Sequence, residues 1–223
     1  MSRGLGDVYK RQQLDIKTFA ILSTLIGISL FLGSALQQVA LLHTDVANAA
    51  FFTIFYVPMV PIIVFLFKKK SIHWSVWPSV VLCLIGGYLL TNFYDATVRL
   101  GDGLVLLGAL FWSTHIIFTG MIVNRYNLPL TIGALQTLIV AILSFIICSI
   151  YEEFILINIL NEIDSILYAG VLSGGFAFVL QIYAQRNIAP APAAIIFSLE
   201  GVFATVAAWF LLNQILDINN IFG

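Results

Sequence analysis

The sequence predicts an all-α polytopic membrane protein, a bundle of about seven transmembrane helices drawn from a ten-helix, two-copy inverted-repeat architecture. Three observations predict it. First, 61% of the 223 residues are hydrophobic and only 9% are charged. Soluble domains are typically about 25% charged, so this chain cannot coat a globule with a solvated surface. Second, the apolar residues fall into continuous runs of spanning length. Third, the chain matches itself at an offset of 144 residues. The first observation excludes an ordinary soluble enzyme and a disordered chain. The net charge of −1 excludes a polyanion-binding field, so no nucleic-acid partner is expected.

Seven runs can cross about 30 Å of hydrocarbon at about 1.5 Å per residue. They are 18–42, 46–67, 74–92, 103–124, 129–150, 165–185 and 191–212. Barrel strands would be about ten residues long with alternating pattern. These runs are continuous, so they read as helices, which satisfy their own backbone in lipid. Pro58 and Pro61 sit inside the second run and should bend it, as a static kink or as a hinge. Pro190 and Pro192 open the seventh, where proline is tolerated. Gly170 and Gly174 form a small-xxx-small pair expected to admit a neighbouring helix. Trp74, Trp77 and Tyr94 read as interfacial aromatics. Cys83 and Cys148 lie in apolar runs and read as small core residues. No cysteine or histidine spacing points to a metal.

Loop charges set the expected orientation. Lys17, Lys68, Lys69, Lys70, Arg125 and Arg186 fall on one side and Arg99 on the other. The Arg99 side carries Asp45, Asp95, Asp102, Glu152, Glu153, Glu162, Asp164 and Asp217. The N-terminus is therefore expected in the cytoplasm, with the protein in a plasma membrane of bacterial inner-membrane type. The three consecutive lysines read as a topology anchor beside anionic headgroups, a regulatory lipid site being the alternative.

At the 144 offset Leu36, Gln37 and Ala40 align with Leu180, Gln181 and Ala184. Ala47, Ala49 and Ala50 align with Ala191, Ala193 and Ala194. The offset spans five helices, an odd number, so the second copy must be inverted. Inverted repeats around a midplane site mark secondary transporters. Residues 13–99 are read as a partial first copy and 100–223 as the second. The first copy should begin about 43 residues upstream of Met1, room for about two helices. The parent would be about 280–290 residues long, truncated here at both ends. Residues 1–12, MSRGLGDVYKRQ, resemble a translated adapter scar and are set aside as non-native.

Three segments carry a family resemblance. Leu32–Pro61 reads LGSALQQVALLHTDVANAAFFTIFYVPMVP, a short turn leading into a proline-bearing helix. Gly101-Asp102-Gly103 precedes LVLLGALFWSTHIIFTG. Gly174–Leu212 contains APAAIIFSLEGVFA at 191–204. These segments resemble EamA-like members of the drug/metabolite transporter superfamily over roughly residues 18–223. The chain departs at Glu200-Gly201, where the family usually has Glu-Pro, and at Asn213-Gln214, where Gly-Glu is common. The resemblance implies export or exchange of small polar metabolites, such as amino acids or drug-like compounds, driven by an ion gradient. It implies no organic cofactor.

Within the seven runs Glu200 is the only Asp, Glu, Lys or Arg. It lies about 14 Å into the membrane by helix rise. A carboxylate able to take a proton at that depth is what proton coupling needs. The alternative is a neutral Glu bonded to a neighbouring helix. His115 is also near mid-depth, with Trp112 and Thr119 on its face. It reads as a cavity wall or as a residue bonded between helices. Gln37, Gln136 and Gln181 read equally as site amides or interhelical glue. Tyr56 aligns with Glu200 at the offset and reads as cavity bulk or packed core. The expected partners are a small-molecule substrate, the lipid bilayer and protons or another coupling ion; a homodimer stays open. The competing classes are a channel or scaffold subunit and, more remotely, a membrane-embedded enzyme. One Glu and one His, with no paired acids and no H-E-x-x-H, do not supply the groups such an enzyme needs.

Overall fold

The computed structural model describes residues 15–68, 72–90 and 99–212, and all its regular elements there are helical. Expectations placed on residues 1–12, Lys69, Lys70, Tyr94, Asp95, Asn213, Gln214 and Asp217 lie outside the described residues. The chain folds as α1 (Ile16–Ala40), α2 (Val46–Thr53), α3 (Tyr56–Lys68), α4 (Val76–Leu90), α5 (Leu100–Tyr126) and α6 (Pro129–Tyr151). There follow α7 (Leu156–Asn161), α8 (Ile163–Leu167), a π-helical stretch Tyr168–Ala177, α9 (Phe178–Ala184), α10 (Pro190–Phe197) and α11 (Glu200–Leu212).

Among the described residues six stretches are long and apolar enough to cross a membrane, with mean hydropathy from 1.5 to 2.4. Of the run expected over 74–92, the described residues are helical over Val76–Leu90. The connector expected over 152–164 contains α7, whose residues are all exposed. The protein is an all-α integral membrane protein.

Helix starts follow local chemistry. Asp15 caps α1, accepting from the Thr18 amide at 3.1 Å and from its hydroxyl at 2.5 Å. Those bonds, the hydroxyl's first, and the nearby Arg125 charge hold the Asp15 carboxyl below its ordinary value of 3.8. Pro190 opens α10, where its missing N–H would have had no partner anyway.

Two apolar runs are broken helices. The second run breaks at Ile54 and Phe55, between α2 and α3. Pro58 explains the break. It has no N–H to return to the Ile54 carbonyl, and its ring crowds that oxygen. The Ile54 carbonyl instead accepts from Val57 at 2.9 Å, a tighter turn. The seventh run breaks at Ser198 and Leu199, between α10 and α11, with no proline near the break. There the Ser198 hydroxyl donates to Ile195 O at 2.7 Å and Gly201 N–H to Ser198 O at 3.3 Å. A hydroxyl competing for backbone carbonyls and a glycine with low helix propensity stand in for the ring. Three half-helix boundaries correspond at the 144 offset: 46 with 190, 53 with 197 and 56 with 200.

Helix α5 is the axis of the fold. It buries one flank from Gly101 to Val123 and packs against α1, α2, α3 and α10. Its Thr114 hydroxyl donates to Ser29 of α1 at 3.2 Å. Tyr56, Val57, Val60, Ala109, Ile116, Ile117 and Ala194 form the largest core cluster. Charges segregate to the two bundle ends. Arg99, Asp45 and Asp102 gather at one, with Arg99 paired to Asp45 at 2.8 Å. Arg125 and Arg186 gather at the other, with Arg125 paired to Asp15 at 3.7 Å. The two cysteines are free and half-buried.

Close helix approach uses other glycines than the expected pair. A Cβ on Gly170 would meet nothing within 4 Å, and one on Gly174 would meet only Ala169 O, in the same helical stretch, at 3.2 Å. No other helix comes within 4 Å of a Cβ at either position among the described residues, Gly170 being exposed and Gly174 half-buried. A Cβ on Gly27 would instead stand 2.6 Å from Cβ of Ile139 in α6. Ile139 branches at that atom and cannot swing aside. Gly27→Ala is expected to cost about 1–3 kcal/mol in unfolding from lipid nanodiscs. Gly103→Ala, whose Cβ would meet nothing within 4 Å, is the control and should be near neutral. Equal stability of the two variants would rule out the α1–α6 contact.

Candidate functional site

A cavity of about 700 Å³ opens between the two broken helices, α5 and the 163–184 span. Both breaks contribute. Thr53 and Tyr56 flank the first, and Phe197, Leu199 and Glu200 border the second. Trp112 and Ile116 come from α5 and Gln37 from α1. Ser173, Phe178 and Gln181 come from the π-helical stretch and α9. The π stretch is rich in small residues, and such wide turns are frequent at functional sites.

Five of the expected site residues therefore meet at one cavity: Gln37, Tyr56, Trp112, Gln181 and Glu200. Glu200 is the first residue of α11 and keeps access to the cavity. The ion pairs among the described residues, Arg99–Asp45 and Arg125–Asp15, do not involve it. The Trp112 indole N–H donates to Gln37 Oε1 at 3.3 Å, which orients that amide. Tyr56 is only 4% exposed, and its hydroxyl has no hydrogen-bond partner.

His115 and Gln136 are not part of the lining. Both are fully buried, and His115 Nε2 lies 3.1 Å from Gln136 Oε1. The amide oxygen only accepts, so Nε2 carries the proton and Nδ1 is left as an acceptor without a partner. The imidazole stands edge-on to the Trp112 and Phe178 rings, at 6.1 and 5.7 Å between centroids. It braces the wall from behind. The reason is helical geometry: Trp112 is three residues from His115, so a rotation that brings Trp112 to the cavity turns His115 towards α6. Thr119 follows His115 into the core.

Several lining residues escaped the sequence reading. Phe178 stacks parallel to Trp112, with planes 1° apart and centroids at 6.1 Å. It sits three residues before Gln181, a spacing that could have flagged it. Thr53 aligns with Phe197 at the 144 offset, as Tyr56 does with Glu200, so the repeat could have flagged both. Phe203 follows Glu200 by three. Ser173 carried no signal of its own.

Asp102 was also misplaced by sequence. It was expected as a loop charge, yet it is 2% exposed in the first turn of α5. Its carboxylate accepts from the Thr44 hydroxyl, from Asn48 Nδ2 at 3.3 and 3.4 Å, and from the Arg99 amide at 2.7 Å. A second opening of about 570 Å³ lies at the other bundle end, lined by Asn124, Arg125, Arg186, Asn187 and Pro190 among others. Among the described residues no three His, Cys, Asp or Glu side chains group so as to hold a metal ion.

Comparison with known proteins places this geometry in context. A model of the EamA-like transporter family matches residues 99–223. Over 198 residues the chain is 32% identical to an "Uncharacterized transporter" of Archaeoglobus fulgidus, which covers 89% of this chain and 63% of that protein. The chain thus spans less than two thirds of the length of the curated relative it matches.

Proposed function

The chain belongs to the EamA-like transporter family, and from that premise we propose that it acts as a secondary transporter, exporting or exchanging small polar metabolites by alternating access with proton coupling. One observation carries the reading. The only charge within the apolar runs, Glu200, faces a central cavity where two broken helices meet. Discontinuous helices at a midplane site are a recurrent transporter device, because irregular backbone survives at depth only beside protein or water.

The matched boundaries of the two broken helices support the two-copy reading, with 13–99 as part of the first copy and 100–223 as the second. So does the start of the family match at residue 99. Transport then proceeds by rocking one copy against the other, with Tyr56 and Glu200 as equivalent positions on opposite sides of the cavity. Glu200 takes and releases the coupling proton. Gln37 and Gln181 offer amides to the substrate, and Trp112 supplies bulk. The end bearing Arg125 and Arg186 faces the cytoplasm by the positive-inside rule.

The test uses proteoliposomes loaded with a pH-sensitive dye and given a proton gradient. Single amino acids and organic amines are added in turn as probes. A coupled transporter moves protons only with a substrate, saturates with its concentration and stops on adding a protonophore. Proton flux that needs no substrate and never saturates would identify a channel and overturn the proposal.

A further inference from the structure

We propose that the cavity selects a positively charged organic amine bearing a flat aromatic or similarly planar apolar group, and rejects anions. This rests on the transporter reading and names its substrate class.

The charge pattern of the wall comes first. Among the described lining residues Glu200 alone is charged. No Lys, Arg or His is among the described residues that line the cavity. Arg125 and Arg186 line the separate opening at one bundle end, and Arg99 is held by Asp45 at the other. A carboxylate or phosphate entering the cavity would meet a like charge with no cation to pair with, whereas an ammonium would meet a carboxylate that has no ion-pair partner among the described residues. The helix ends do not reverse this. Each break sets the C-terminal end of one half-helix beside the N-terminal end of the next. Their end charges, about half a unit each and opposite in sign, offset. The carboxyl group of Glu200 has no such opposing charge beside it among the described residues.

The aromatic walls supply the rest. Trp112 and Phe178 present parallel planes, and Tyr56, Phe197 and Phe203 continue the surface. Such faces attract both flat apolar groups and cations placed over them. The Tyr56 hydroxyl is buried away from the cavity and without a partner, so only the ring of Tyr56 contributes to the wall. Gln37 Oε1 is already occupied by the Trp112 indole, which leaves its amide N–H groups to donate to a neutral part of the ligand. One acidic group and a ring-lined wall together match an aromatic amine. They lack the cationic partner that the carboxylate of an amino acid would require.

The test is calorimetric titration of the full chain in lipid nanodiscs at neutral pH with four compounds of similar size: phenethylamine, 2-phenylethanol, phenylalanine and 3-phenylpropionate. Phenethylamine is expected to bind at least about tenfold more tightly than the other three. Glu200→Gln should erase that preference while leaving weak binding of the alcohol, and Trp112→Leu should weaken the amine and the alcohol together. Phenylalanine or 3-phenylpropionate binding as tightly as the amine, with binding still sensitive to Glu200 or Trp112, overturns the substrate class and leaves the site standing. Binding indifferent to both substitutions overturns the site as well. No heat from phenethylamine up to about 10 mM overturns the amine proposal, while saturable, gradient-driven flux of another compound would keep the transporter reading.

Discussion

Glu200→Gln is expected to abolish gradient-driven accumulation, by about 10²-fold or more, while the protein still folds. The size of the effect follows from uniqueness. No other Asp, Glu, Lys or Arg lies in the apolar runs, and His115 has no access to the cavity. A glutamine keeps the shape and hydrogen-bonding reach of the side chain but cannot release a proton. Folding should survive because neither ion pair among the described residues includes this carboxylate. An uncompensated charge at the bilayer centre costs about 2.5–3.5 kcal/mol on insertion scales, so its neutral replacement is no burden. The measurement is substrate accumulation in proteoliposomes across a pH series, beside downhill exchange with no proton gradient. The variant should show flat, low accumulation, with exchange surviving only at substrate concentrations raised to offset its weaker amine binding. Accumulation with the pH dependence of the unsubstituted protein would remove Glu200 from the coupling role.

What was legible in the sequence divides along a physical line. Helix existence was legible because lipid forces continuous apolar runs, and among the described residues six of the expected runs are long enough to span. Glu200 was legible because charge is scarce in such runs. Gln37 and Gln181 were legible through the repeat. Helix rotation was less so. The sequence places Trp112 and His115 on one face, but one lines the cavity and the other bonds Gln136 behind it. A spacing of three residues turns the side chain by about 60°, enough to move it from the cavity to the core. The two breaks differ in the same way. Pro58 announces the first, whereas the second depends on Ser198 and Gly201, residues common in unbroken membrane helices. The family's usual proline after the glutamate is absent, yet the break persists. The glycine pair at 170 and 174 misled because small-xxx-small spacing marks a surface that can admit a helix, and none is packed there among the described residues.

Asp102 shows the limit of reading charge from sequence, and its removal carries the largest expected loss of stability. A carboxylate near a bundle end is normally assigned to water. Here the link between α1 and α2 closes over it. The fit is tight enough that a Cβ on the adjacent Gly101 would stand 2.7 Å from Ala40 O and 2.8 Å from Thr44 Cβ. Asp102 accepts from a hydroxyl, a side-chain amide and a backbone amide, so it joins the α1–α2 link to the start of α5. Asp102→Ala strips the carboxylate from all three donors in a place where water has little room. The expected cost is about 3–5 kcal/mol, because three donors lose their acceptor at about 1–3 kcal/mol each when left unsatisfied. Asp102→Asn keeps the shape but replaces one acceptor by a donor, and opposing it to the Arg99 or Asn48 N–H should cost about 1–3 kcal/mol. The neighbouring Arg99–Asp45 pair is the internal contrast. It is closer than many salt bridges at 2.8 Å, but its side chains are 45% and 59% exposed. Asp45→Asn should therefore cost less than about 1 kcal/mol. Unfolding from nanodiscs, followed for the three variants side by side, should rank them Asp102→Ala, Asp102→Asn, Asp45→Asn from least to most stable. If Asp45→Asn proved the most damaging, the exposed ion pair rather than the buried carboxylate would be what fastens that end of the bundle.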